Sequence, residues 1–293
     1  MNLHSLRVFY YVATQRSFSL AAHSLFITQP AVSKTIRELE NHVGLALLER
    51  ASKGKVIRLT DAGEMLYAHA KEVFAIEKAA EEALKAHAGL TQGKLTIGAS
   101  STIANYWLSS LMATFHQRHA HVSLELIVGN SADIEEALIH CNVDIGFIEG
   151  KCTSPDINAK HWIDEPLVLV RANAPASSDV TRQGLEDAMW LVREQGSGTR
   201  SVVDDYWKEH NFNVKNLLVM GSNEAIANGV ASGLGVALVP EVVAANLIKI
   251  GRVEALSARQ QWQPKNRPLY SLTYKGRPLS PSATAFLSLL DSK

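Results

Sequence analysis

Residues 21–40 read AAHSLFITQPAVSKTIRELE, a stretch that sets Pro30 inside an otherwise helical pattern. Val32, Ile36, Leu39 and Val43 recur at steps of four, three and four, which is one apolar helix face. Thr28 is placed to cap that helix, its hydroxyl accepting from a free N–H of the first turn. Pro30 then falls in the first turn, where a missing N–H costs nothing and a fixed φ helps, and Gly44 is placed to end the helix. The proline marks a start, not a break.

Upstream, Leu6, Phe9, Tyr10 and Ala13 follow helical spacing, and a turn is expected at Arg16 to Phe18. Ser19 is the expected cap of a short helix carrying Ala22 and Leu25, and Phe26-Ile27-Thr28 turns the chain into the Pro30 helix. A short helix, a tight turn and a second helix with a polar outward face make a helix-turn-helix. Gln29, Ser33 and Arg37 then lie along one exposed stripe, with Lys34 beside it. Gln and Arg can pair bidentately with adenine and guanine edges and Ser with either, while Lys suits a phosphate. The bland alternative is an ordinary solvated helix face, and the neighbouring sequence decides against it.

The 293 residues hold 29 basic and 29 acidic side chains, a net charge of zero that hides an asymmetry. Over residues 1–60, Arg7, Arg16, Lys34, Arg37, Arg50, Lys53, Lys55 and Arg58 face only Glu38, Glu40 and Glu49, a net of plus five. A basic end on a neutral chain points to a module that meets a polyanion. An apolar content of 46% with 20% charged residues describes an ordinary globular protein of about two or three domains. No apolar run is long enough to span a bilayer, and the N-terminus, interrupted by His4 and Arg7, lacks a signal-peptide core. A cytoplasmic protein without membrane partners is expected, its thiols reduced. Only Cys141 and Cys152 are present. A redox pair is the alternative to inert packing.

Further on, LLERASKGKVIRLT (47–60) reads as a β-hairpin wing whose tip, Lys53-Gly54-Lys55, can reach phosphates. Thr60 is placed to cap a long helix, with Asp61 and Glu64 at the positive end of its dipole. Leu66, Val73 and Ala80 repeat every seven residues, as do His69, Ile76 and Ala83. Such a rod, roughly 40 Å long, gains little as a monomer. Two copies packed together would hold two helix-turn-helix units apart for a two-fold symmetric duplex.

Beyond Ala88–Gly93 the pattern becomes α/β. KLTIGA, VSLELIVG and VDIGFIEG alternate with helical segments at Ile103 to His119 and Ala132 to Cys141, which predicts a parallel, doubly wound sheet. A second such unit runs from about Pro166 to Leu256, with strands near WLVRE, LLVMG and GVALVP. YSLTYKG and a final helix, Ser280 to Leu290, return to the first. LIVGNSADIEEAL echoes LLVMGSNEAIANGV, and Ser100-Ser101-Thr102 echoes Ser197-Gly198-Thr199. Two similar lobes joined by crossing strands make a cleft at the carboxyl ends of their strands, where ligands bind.

In that cleft Ser100, Ser101, Thr102, Ser131, Ser197, Thr199 and Asn223 offer hydroxyls or an amide beside helix N-termini, a seat for a small anion. Arg200 could add a charged donor, with Glu149 as its partner. Taken singly, each Ser or Thr is a helix cap. Catalysis has no foundation here: no GxSxG, GxxxxGK or HExxH occurs, and GSGTR (196–200) lacks the lysine of a phosphate loop. His116, His119 and His121 end a helix with no Cys or carboxylate to complete a metal set. No enzyme, cofactor or metal is expected.

SFSLAAHSLFITQPAVSKTIRELENHVGLALLER (17–50) resembles the winged helix-turn-helix signature of LysR-type transcriptional regulators, TQPAVSKTIRELE and LLER being specific motifs. The resemblance covers essentially the whole chain. It implies a winged helix-turn-helix at 1–59, a linker dimerisation helix at 60–89, and a two-lobed, periplasmic-binding-protein-like α/β effector domain. The first lobe would comprise 94–165 with 266–293, and the second 166–265. It further implies dimers assembling into tetramers on double-stranded promoter DNA, and a coinducer in the lobe cleft. By position, Thr28, Gln29, Pro30, Ser33, Lys34 and Arg37 would face DNA, with Arg50 and Lys53 supporting backbone contact. SSTIANY, VGNS, VDIGFIEG and REQGSGTR are similar to members governing sulfur assimilation or carbon fixation. That suits an oxyanion such as sulfite or sulfate, or a phosphorylated metabolite. The peroxide-sensing branch keeps its cysteine pair in the second lobe, whereas both cysteines here fall in the first. A solute-binding protein, the competing class, would carry a secretory signal and no basic first module.

Overall fold

Asn2 opens the first helix, α1 (Leu3–Gln15), with a reciprocal capping box in which its Oδ1 accepts from Ser5 N at 2.8 Å. Arg16 ends it in the left-handed region, and that single residue reverses the chain. The second helix, α2 (Phe18–Ser24), therefore starts earlier than expected, capped by Ser17 and not Ser19. In α3 (Gln29–Val43), Thr28 occupies the cap position but makes no side-chain capping bond. Pro30 is the second helical residue, so one of the two N–H groups a cap could use does not exist. Gly44, at φ 72°, closes the helix. Leu6, Phe9 and Val12 of α1 pack with Ala21, Ala22, Val32, Ile36 and Leu39 into one core.

The computed structural model describes residues 1–49, 57–87, 93–173, 181–256 and 263–292. Of the expected wing, Leu48 and Leu59 form an antiparallel bridge, and Glu40 Oε1 accepts from Leu47 N and Leu48 N at 2.8 and 3.2 Å. The tip, with Arg50 and Lys53, lies outside the described residues. Helix α4 (Asp61–His87) starts with Thr60 Oγ1 accepting from Gly63 N. Its inner face, Tyr67, Ala70 and Phe74, packs against α1, where Tyr10 stacks on Tyr67 and Arg7 grips Glu77 with two contacts of 2.5 and 2.7 Å. Leu66 also packs inward, so it leaves the seven-residue seam. The outer stripe is Met65, His69, Val73, Ile76, Ala80 and Leu84, exposed along the described length.

Phe26, in the turn between α2 and α3, combines a left-handed backbone (φ 55°) with 94% exposure. A bulky side chain gains nothing there and strains the backbone. Phe26→Asn, whose side chain tolerates this conformation, is expected to stabilise the N-terminal unit by about 0.5–1 kcal/mol. A urea denaturation curve shifted to lower midpoint would refute it.

The chain divides into two compact units, Met1–Glu82 with Gly276–Pro278, and Ala83–Lys275 with Leu279–Lys293. The second contains two five-stranded sheets. The first runs β2 (Val122–Gly129), β1 (Gly93–Ser100), β3 (Ile145–Glu149), β10 (Arg267–Tyr274), β4 (Ile157–Glu165). The other runs β7 (Asn216–Met220), β6 (Met189–Arg193), β8 (Val236–Pro240), β5 (Leu167–Ala172), β9 (Val253–Ala255). We call these the first and second lobes. Neither sheet is purely parallel: β1 pairs in parallel with β2 and β3, and β6 with β7 and β8, but β10 and β5 run antiparallel to their neighbours. The reversal follows from connectivity, because the chain crosses between lobes at Glu165–Leu167 and re-enters the first lobe on β10. Helices cover the sheets, among them α5 (Ser101–Ile103), a π-helical turn (Ala104–Leu108) and α6 (Ser109–Arg118), so this segment starts two residues before the expected Ile103. Others are α7 (Ser131–Ile139), α8 (Arg182–Asp187), α9 (Gly198–Glu209) and α10 (Asn223–Ala231).

Candidate functional site

On α3, Val32, Ile36 and Leu39 are buried, which turns Gln29, Pro30, Lys34 and Arg37 outward, with Thr28 exposed just before and Ser33 half-buried. Lys34 Nζ lies 3.7 Å from Glu38 Oε1, a loose, exposed pair that leaves the ammonium available.

The second group of residues gathers at the carboxyl ends of the parallel strands. In the first lobe, Ser100 closes β1 opposite Gly129 of β2, Ser101 and Thr102 start the following helix, Ser131 starts α7, and Glu149 closes β3. In the second, Ser197 and Thr199 flank the start of α9 beyond β6, and Asn223 starts α10 beyond β7. Ser100, Thr102, Ser131, Glu149, Ser197, Thr199 and Asn223 are all buried. The lobes touch through them. Ser131 Oγ donates to the Glu149 carbonyl and accepts from Gly198 N, both at 3.2 Å. Ala132 N donates to the Gly196 carbonyl at 3.0 Å. Asn223 Nδ2 donates to Thr102 Oγ1 at 2.8 Å, and Asn105 Nδ2 to Glu224 Oε1 at 3.0 Å.

The hydroxyl of Thr199 is fully committed. Its oxygen accepts from Arg267 Nη1 at 2.6 Å and from Asn223 Nδ2 at 3.2 Å, so its proton goes to Glu149 Oε1 at 3.2 Å. The hydroxyls of Ser100, Ser101 and Ser197 have no hydrogen-bond partner among the described residues, and neither do Glu149 Oε2 and Asn223 Oδ1. Ser100 and Ser197 occupy cap positions without capping their helices. The O–H of Thr102 is likewise left to donate, since the Asn223 bond uses its oxygen only as acceptor.

One expectation needs correction, and one residue was missed. Arg200 does not pair with Glu149: its Nε donates to Asp204 at 2.9 Å and its Nη1 to the Arg193 carbonyl at 3.2 Å, because one helical turn separates Arg200 from Asp204 on α9. Glu149 instead faces Arg267, whose Nη1 lies 3.6 Å from its Oε1. Arg267 was absent from the expected set. It is fully buried at the start of β10, in register with Glu165, and its Nε donates to Glu165 Oε2 at 2.6 Å. Trp107 Nε1 donates to the other Glu165 oxygen at 2.6 Å. The local signal was an arginine opening the strand RPLYSLTY. At the edge of the second lobe, burial opposes the charged form of Glu194, but hydrogen bonds led by Arg193 hold its carboxyl below the usual range.

Neither Cys141 nor Cys152 is in a disulfide; both are half-buried in the first lobe, and burial pushes the Cys152 thiol up. Of His116, His119 and His121, His119 packs its ring tilted against Phe115, centroids 4.6 Å apart. Among the described residues, no group of His, Cys, Asp and Glu is placed to hold a metal, and no helix is long and apolar enough to cross a membrane.

Residues 3–64 match the family model described as bacterial regulatory helix-turn-helix protein, lysR family, and residues 88–293 match the LysR substrate binding domain. The chain belongs to the LysR family. A RuBisCO operon transcriptional regulator of Allochromatium vinosum is 32% identical over 295 residues, covering 98% of this chain and 94% of the relative. A cysteine-to-aspartate variant of full-length OxyR from Pseudomonas aeruginosa superposes with a TM-score of 0.75 at 24% identity, covering 100% of this chain and 94% of its own. The regulatory domain of Synechocystis CcmR in complex with 2-PG superposes with a TM-score of 0.58 at 25% identity over 69% of this chain and 97% of its own. This LysR-family chain is therefore a DNA-binding transcriptional regulator with an effector-binding domain, not an enzyme.

Proposed function

We propose that this regulator binds promoter duplex as a homodimer or homotetramer in the cytoplasm, and that a small oxyanion seated between its lobes changes how the bound copies are arranged. The reading of α3 as the base-reading helix rests on its exposed Gln29, Lys34 and Arg37 stripe beside a half-buried Ser33. Dimerisation is supported by the exposed stripe of α4, whose Ile76 and Leu84 are 54% and 69% exposed. The observation that carries the ligand reading is the set of buried hydroxyls, Ser100, Ser101 and Ser197, that no group among the described residues satisfies. A phosphorylated metabolite is the second reading, favoured by the CcmR regulatory domain's likeness and its 2-PG.

A duplex selected from a random pool by the full-length protein provides the DNA probe. On it, Arg37→Ala is expected to weaken binding by about 1–3 kcal/mol and relax specificity, while Lys34→Ala lowers the salt dependence by about one counterion with specificity kept. Unchanged discrimination in Arg37→Ala would refute its base-reading role, and failure to enrich any duplex would refute the DNA reading itself. For the cleft, calorimetry with sulfite, sulfate and inorganic phosphate tests the oxyanion. Heat from none of them, or heats unaffected by Ser101→Ala, would sink that part.

A further inference from the structure

We infer that the cleft selects an oxyanion carrying its own proton, and that the carboxyl of Glu149 is the group that selects it. This rests on the reading of the cleft as an oxyanion site. Among the described residues, most of the unsatisfied groups here are donors: the hydroxyls of Ser100, Ser101 and Ser197, Nη1 of Arg193 and Nη2 of Arg267, with the O–H of Thr102. Two are acceptors, Glu149 Oε2 and Asn223 Oδ1, buried at 1% and 0% exposure. The assignment of the Asn223 amide is forced, because Thr199 gives its only proton to Glu149 and must receive one from Asn223. Its oxygen therefore stays unsatisfied.

Neighbouring cations do not cancel these acceptors. Arg193 Nη1 and Arg267 Nη2 make no hydrogen bond among the described residues, but the charge of each guanidinium is already set against carboxylates: Arg267 against Glu149 and Glu165, Arg193 against Glu194 at 2.7 Å, and Arg200 against Asp204. A fully deprotonated anion such as sulfate would set an oxygen lone pair against the carboxylate oxygen of a residue only 1% exposed, a repulsion that low dielectric magnifies. An anion with an O–H, such as hydrogenphosphate or the monoanion of a phosphate monoester, instead donates to Glu149 Oε2 while its other oxygens accept from the serines. One unmatched polar group of this kind is enough to separate two isosteric ligands strongly.

Titration calorimetry of the full-length protein with inorganic phosphate and with sulfate, at equal ionic strength and neutral pH, tests this. Phosphate is expected to bind at least about ten-fold more tightly than sulfate. In Glu149→Gln, whose amide can donate, the ratio is expected to fall to within about three-fold, through gained sulfate affinity. Equal affinities in the unaltered protein, or an unchanged ratio in a folded Glu149→Gln, overturn the inference while leaving the oxyanion site standing. Binding of neither ion overturns both. If the variant does not fold, methyl phosphate against methyl sulfate on the unaltered protein at about pH 5, where the phosphate monoester keeps its proton, repeats the test, and equal affinity for that pair is equally fatal.

Discussion

Arg267→Met is expected to cost the lobed unit about 3–5 kcal/mol, because it leaves two buried carboxyl groups without their shared guanidinium. Glu149 and Glu165 are each 1% exposed, and Arg267 is 0% exposed. The bridge sits where both connecting strands pass between lobes, since Arg267 and Glu165 are register partners one residue short of Pro166. The loss therefore reaches both sheets. Arg267→Lys should recover only part of it, because an ammonium cannot serve Glu165 and Thr199 together with the planar fork of a guanidinium. Pairing Arg267→Met with Glu165→Gln should restore some stability by removing one stranded charge. Urea denaturation followed by tryptophan fluorescence measures all three, and a cost below about 1 kcal/mol for Arg267→Met would show that the bridge is dispensable.

Gly198→Ala is the second large effect. A Cβ at Gly198 would lie 1.9 Å from the Glu149 carbonyl oxygen and 2.8 Å from Glu149 Cγ, so backbone of one lobe meets backbone of the other. Neither can yield as a side chain tip would. The variant is expected to lose about 1–3 kcal/mol and to open the contact in which Gly198 N donates to Ser131 Oγ. Gly221→Ala is the control, since a Cβ there meets nothing within 4 Å. Equal melting temperatures for the two variants would contradict the close approach. If the lobes do separate, oxyanion binding by calorimetry should weaken in Gly198→Ala and not in Gly221→Ala.

Legibility in the sequence followed the range of the interaction. The helix-turn-helix could be read from spacing because each of its elements announces itself locally, by Pro30 in a first turn, Gly44 after the last, and the Val32–Ile36–Leu39 face. The errors there were also local: Ser17 displaced Ser19 as cap once Arg16 alone made the turn. The central strands β1, β3, β6 and β8 stood out as continuous apolar runs, as strands covered on both faces do. Strand β4, INAKHWIDE, did not, because an edge strand keeps polar residues along its exposed length. Its neighbour β10 was seen as a strand, but nothing in KNRPLYSLTY shows that it runs against β3.

By itself, then, the amino-acid order determined the helix-turn-helix, the rod that follows it, two α/β lobes, and polar turns at the ends of their strands. These depend on contacts within a few residues, where periodicity and caps suffice. What only the tertiary structure decided is which of those polar groups are free and which are spent. Arg267 meets Glu165 from 102 residues away and Thr199 from 68, and Asn223 reaches Thr102 across 121. Pairings of that span are settled by how strands cross between lobes, and a hydroxyl's remaining hydrogen-bonding capacity is known only once its neighbours have been seated around it.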